Sequence, residues 1–128
     1  MELIDRAWDA DCIKGHYRRC KRHRMKGAEM TEWQKKKVRE IAAHYGIDSQ
    51  SKKAVEECAE LIVAIMHMEK KVESASEALK FCSNLAGEIA DVRIMCEQLA
   101  YLYGIGELVN EQIEFKISRQ LDRMEKGE

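Results

Sequence analysis

The sequence predicts an all-α domain on three observations: 128 residues without a proline, a composition of 45% hydrophobic and 35% charged residues, and apolar side chains recurring every three or four positions. Without proline nothing forces a helix to stop from within, and abundant charge can cover the solvent faces of long amphipathic helices. At this length one core is expected. Residues 1–30 are rich in charge and lack a clear apolar stripe, so they read as a basic, helical N-terminal extension, and residues 31–128 read as the main domain.

The elements follow in order. "TEWQ" at Thr31 to Gln34 reads as a capping box, in which the hydroxyl takes one free amide and the Gln side chain reaches back to another. It opens a helix from Glu32 to Tyr45, which Gly46 stops. Asp48, Ser49 and Ser51 are candidate N-caps for a second helix running to about Lys71. "SASE" at Ser74 to Glu77 is another capping pattern, starting a short helix that Ser83 and Asn84 are expected to end or re-aim before a long helix to about Tyr103. "GIG" at Gly104 to Gly106 breaks that helix, and a last one follows with Val109, Ile113, Ile117, Leu121 and Met124 on one side.

Charge and cysteine content narrow the class. A formal net charge of −1 gives no overall pull toward nucleic acid or an anionic membrane. No apolar run approaches the roughly 20 residues of a membrane span, and no secretory signal is seen. Three of the five cysteines, Cys58, Cys82 and Cys96, fall in apolar helical patterns where a thiol behaves as a small hydrophobe, and a reducing cytoplasm is the expected compartment.

The chemistry lies in "AVEECAELIVAI", residues 54–65, where Glu56, Glu57 and Glu60 interrupt an apolar helical pattern. At about 100° per residue, Glu57 borders the stripe of Ala54, Cys58, Leu61, Ile65 and Met68, Glu60 falls one step outside it, and Glu56 points away. The helix containing "GEIADVRIMCEQL" repeats the design: Glu88 borders the stripe of Leu85, Val92, Cys96 and Leu99, with Asp91 one step outside. Glutamates at i, i+3 commonly form a solvated face. Two matched pairs on packed helices would instead bring Glu57, Glu60, Glu88 and Asp91 to one edge of the interface, where their repulsion calls for a cation. Hard divalent ions prefer such oxygens, and Mg²⁺ combines a few carboxylates with water and substrate phosphates. No histidine falls inside either pair, which argues against a di-iron bundle site.

At these residues the chain resembles the MazG-like, all-α nucleoside triphosphate pyrophosphohydrolase family, whose motif is Glu-Glu-x-x-Glu, a spacer, then Glu-x-x-Asp. Here "EECAE" spans Glu56 to Glu60 and "EIAD" spans Glu88 to Asp91, separated by 27 residues, a long spacer for the family. The likeness extends over roughly residues 38–124. It implies an antiparallel helical bundle, oligomeric as a homodimer or homotetramer, that hydrolyses a nucleoside triphosphate between its α and β phosphates. Glu57, Glu60, Glu88 and Asp91 would be catalytic and would bind Mg²⁺, with Mn²⁺ as a substitute. Glu56 belongs to the motif with a supporting or substrate-side role.

Lys116, Arg119 and Arg123 share one stripe of the last helix and form a candidate phosphate clamp; Lys116 and Asn110 match the family's closing pattern. Gln50 and Lys53, one to two turns before Glu57, are placed to reach base or phosphate. Trp33 reads as a packing anchor.

The extension departs from the compact family members. Cys12, His16, Cys20 and His23 would form one stripe on a continuous helix, which cannot surround a tetrahedral zinc ion. Seven cations between Lys14 and Lys26 offer a binding-class alternative, a helical module that grips nucleic-acid phosphates. A third reading is a helical scaffold assembled by metal. A solvated basic helix is the plain structural account of the same segment.

Overall fold

The computed structural model describes residues 29–128; the stripe of Cys12, His16, Cys20 and His23 and the cations from Lys14 to Lys26 lie outside the described residues. Four helices and no strands make up the described part: α1 (Glu32–Tyr45), α2 (Ile47–Met68), α3 (Ala75–Leu102) and α4 (Gly106–Glu125). None is long and apolar enough to cross a membrane.

Helix α1 starts where the capping box places it. Thr31 Oγ1 accepts from the Gln34 amide at 3.1 Å, and Gln34 Oε1 accepts from the Thr31 amide at 2.8 Å. Gly46 ends α1 at φ 85°, a left-handed value that costs a residue without Cβ little, and its amide donates to the Ala42 carbonyl. Helix α2 begins at once, with Gly46 as N-cap and no side-chain cap. Asp48, Ser49 and Ser51 are therefore inside the helix and not its caps. Asp48 in the first turn still complements the helix dipole. The helix ends at Met68, three residues short of Lys71.

Ser74 caps α3, its hydroxyl accepting from the Glu77 amide at 3.1 Å, while Glu77 Oε2 accepts from the amide of Glu73. Ser83 and Asn84 do not interrupt this helix, which runs unbroken for 28 residues. Both are only mildly poor helix formers, and with no proline nearby the packing of α3 against α1 and α2 overrides so weak a preference.

Helices α2 and α3 are antiparallel. The start of α2 meets the end of α3 through Ser51 Oγ and Tyr103 Oη at 3.1 Å and through Gln50 Nε2 donating to Gln98 Oε1 at 2.6 Å. Helix α1 covers α3 from another side, where Arg39 approaches Glu97 at 3.8 Å and lies over the Tyr101 ring. The buried apolar core is built from small residues, Val38, Ala42, Ala54, Ala64 and Ala78, with Met95 the largest. Small side chains let helices approach closely but bury little apolar area each. Trp33, expected to anchor packing, is 67% exposed, at the open rim of a groove between α1 and α3. Helix α4 buries no residue, and Ile113, Ile117, Leu121 and Met124 stand open.

Candidate metal centre

Antiparallel packing brings Glu57 of the first acid pair against both acids of the second. One carboxylate oxygen each from Glu57, Glu88 and Asp91 lie within 4.8 Å of one another. Glu57 is 6% exposed, Glu88 half-buried and Asp91 exposed, so the group sits at the edge of the α2–α3 interface, as their wheel positions require. Two charges no farther apart than this repel by about 3 kcal/mol at an effective dielectric near 20.

The register comes from polar residues one heptad away. Gln50 precedes Glu57 by seven positions and Gln98 follows Asp91 by seven, so the Gln50–Gln98 hydrogen bond repeats the Glu57–Asp91 pairing along the same seam. Both amides are buried, and Ser49 Oγ donates to Gln50 Oε1 at 3.4 Å. Buried hydrogen-bonded amides penalise a slipped alignment, which would leave each of them unpaired.

Within the cluster the oxygens are unequal. Glu57 Oε1 accepts from Lys53 Nζ at 2.8 Å, and Lys53 also stands 3.6 Å from Glu56 Oε2. Glu57 Oε2 and Glu88 Oε2 are buried with no hydrogen-bond partner. A buried acceptor without a donor costs free energy, and two carboxylates that each carry one, gathered with a third, suit a hard cation. All three donors are carboxylates, a set that suits the hard divalent ions Mg²⁺, Ca²⁺ and Mn²⁺. Glu60, one turn after Glu57 and exposed, lies outside the three-carboxylate group. Repulsion from Glu57, then from Glu88, raises its pKa above the ordinary carboxylate value; desolvation acts the same way, and Lys53 opposes them. In turn, the hydrogen bond to Glu57 and the charge of that carboxylate push the Lys53 ammonium up.

The remaining candidates are spread out. Lys53 reaches the cluster through Glu57, while Glu56 is exposed beside it. Gln50 is committed to Gln98 in the interior. Asn110 lines a groove of about 510 Å³ with Lys35, Arg39, Tyr101 and Glu107, at the C-terminal end of α3, whereas Glu88 lies at the middle of that helix. Lys116, Arg119 and Arg123 stand exposed on α4, with the Arg119 guanidinium over the Phe115 ring. Among the described residues, ion pairs to the cluster carboxylates come from Lys53 alone. A second groove, of about 520 Å³ between α1 and α3, is apolar, lined by Trp33, Val38, Ile41 and Ile94, and contains none of the acids.

Gln98 escaped sequence reasoning. Its signal was present, since Gln50 falls about 20° from Glu57 on the wheel, inside the apolar stripe, where a polar residue needs a buried partner. Compared with protein-family models, with curated proteins and with solved structures, the chain gives no match.

Proposed function

We propose that this chain is a magnesium-dependent nucleoside triphosphate pyrophosphohydrolase of the MazG-like kind, with α2 and α3 as the core of an antiparallel bundle. One observation carries the reading. Glu57 of the first acid pair and both acids of the second, 27 residues further on, bring carboxylate oxygens within 4.8 Å across a helix interface, and two of the three carboxylates carry a buried, unpartnered oxygen.

Glu57, Glu88 and Asp91 would hold the ion. When bound, Mg²⁺ neutralises charge on the phosphates and leaving pyrophosphate and lowers the pKa of the attacking water. In the overall reaction a water oxygen bonds to the α phosphorus, the bridging oxygen departs with the β phosphate, and a monophosphate and pyrophosphate result. Glu60 stands one turn after Glu57, outside this group, and offers a further carboxylate to accept the water proton. The stripe of Lys116, Arg119 and Arg123 supplies cations of the kind triphosphates need.

The reading includes assembly with a second copy, as a homodimer or homotetramer. A monomer that exposes Ile113, Ile117, Leu121 and Met124 on its last helix, and also Val55, Ile62 and Ile65 on α2, carries more open apolar surface than an isolated domain ordinarily shows. A metal-assembled scaffold would use the same carboxylates and the same open faces, and turnover separates the two accounts. Chain incubated with nucleoside triphosphates and Mg²⁺ should release pyrophosphate, and Glu57→Gln or Asp91→Asn should lower the rate about a hundredfold or more. Unchanged rates in both variants would refute the assignment.

A further inference from the structure

The two oxygens of Glu57 have different neighbours. Oε1 sits 2.8 Å from the Lys53 ammonium in a charge-assisted hydrogen bond, Oε2 is buried without a partner, and Glu57 contributes one oxygen to the group formed with Glu88 and Asp91. Lys53 lies one turn before Glu57 on the same helix, so this contact is local and does not depend on how α2 meets α3. Its position is supported by Glu56, 3.6 Å from the same ammonium. For Glu57 to offer both oxygens to one cation, Oε1 would have to give up Lys53, and the cation would then stand next to an ammonium.

This asymmetry bears on which ion is taken. Ca²⁺ uses six to eight oxygens and readily accepts both from one carboxylate, whereas Mg²⁺ is smaller, needs near-octahedral geometry and takes single carboxylate oxygens. We propose that Lys53 is a positioning residue that makes Glu57 a one-oxygen ligand and thereby biases the Glu57, Glu88 and Asp91 group toward Mg²⁺ and against Ca²⁺. The inference rests on the metal-site reading above and adds to it a determinant of ion choice.

Equilibrium binding of metal alone tests it, with no nucleotide present. Free Mn²⁺ is read by electron paramagnetic resonance as the chain takes it up, and Mg²⁺ or Ca²⁺ is then added to displace it. Wild type should release Mn²⁺ at lower Mg²⁺ than Ca²⁺. In Lys53→Met the Mg²⁺-to-Ca²⁺ affinity ratio should fall about tenfold, mainly because Ca²⁺ binds more tightly, and Lys53→Arg should keep the ratio within about threefold of wild type. Lys53→Gln gives the same readout should the methionine variant fail to fold. A ratio unchanged in a variant that still binds Mn²⁺ overturns the role of Lys53 and leaves the metal site standing. Wild type that takes up no Mn²⁺ overturns both.

Discussion

Replacing Gln98 with Leu isolates the contact that aligns the acid pairs. Gln98 is 2% exposed and its Oε1 accepts from Gln50 Nε2 at 2.6 Å, so Gln98→Leu strands a buried amide donor while keeping a side chain of similar size and high helix propensity. Stranding one buried polar group costs about 2 kcal/mol, which lowers the melting temperature of a domain this size by roughly 8 °C. Gln50→Leu should cost about as much, because it leaves the Gln98 carbonyl unpaired. In the double variant no polar group is left stranded, and the loss should be about 1 kcal/mol or less, giving a coupling of about 3 kcal/mol between the two positions. Urea unfolding of the four proteins measures the cycle. Additive losses, with coupling below about 0.5 kcal/mol, would refute the claim that this pair acts as one unit holding the seam.

Other outcomes follow from the same geometry. Glu60 has a folded pKa above its ordinary value of 4.5, so the fold holds that proton more tightly than the unfolded chain does. The stability it contributes is present below the ordinary value and is lost as pH rises through the folded one. In chelator, Glu60→Gln should therefore melt higher than wild type near neutral pH, with the difference shrinking in acid; a pH-independent difference would contradict the assignment. Adding Mg²⁺ or Mn²⁺ at pH 7 should raise the melting temperature of wild type and not of Glu57→Gln, because only the former keeps all three carboxylates. Ile117→Glu on α4 should reduce the sedimentation mass toward that of one chain while leaving helical circular dichroism intact; an unchanged mass would show that the open stripe is not an assembly surface.

Much of the fold is legible in local chemistry. The Thr31–Gln34 box and the Gly46 stop depend on side chains within a few residues of each other, and helix α1 falls where they place it. The acid design is legible for a related reason: a wheel shows which side of the stripe Glu57, Glu60, Glu88 and Asp91 occupy, and the observed order of burial agrees. Continuity through Ser83 and Asn84 is less visible, since weak helix formers are overruled by packing that no local window contains. Partner choice is hidden for the same reason. From α2 alone Gln50 and Lys53 are free to meet base or phosphate, whereas in the fold Gln98 of the opposite helix holds Gln50 and Glu57 holds Lys53. The open stripe of α4 was visible as a stripe, but only the fold shows that its own chain leaves it uncovered.

The central claim is that the carboxylates of α2 and α3 serve hydrolysis of a nucleoside triphosphate. The purified chain is incubated with each ribo- and deoxyribonucleoside triphosphate, in Mg²⁺ or in chelator, and monophosphate and pyrophosphate are resolved from diphosphate and phosphate. The account predicts pyrophosphate and monophosphate in equal amounts, only with metal, and lost in Asp91→Asn. Diphosphate and phosphate as products, or no turnover of any nucleotide with Mg²⁺ present, would contradict it.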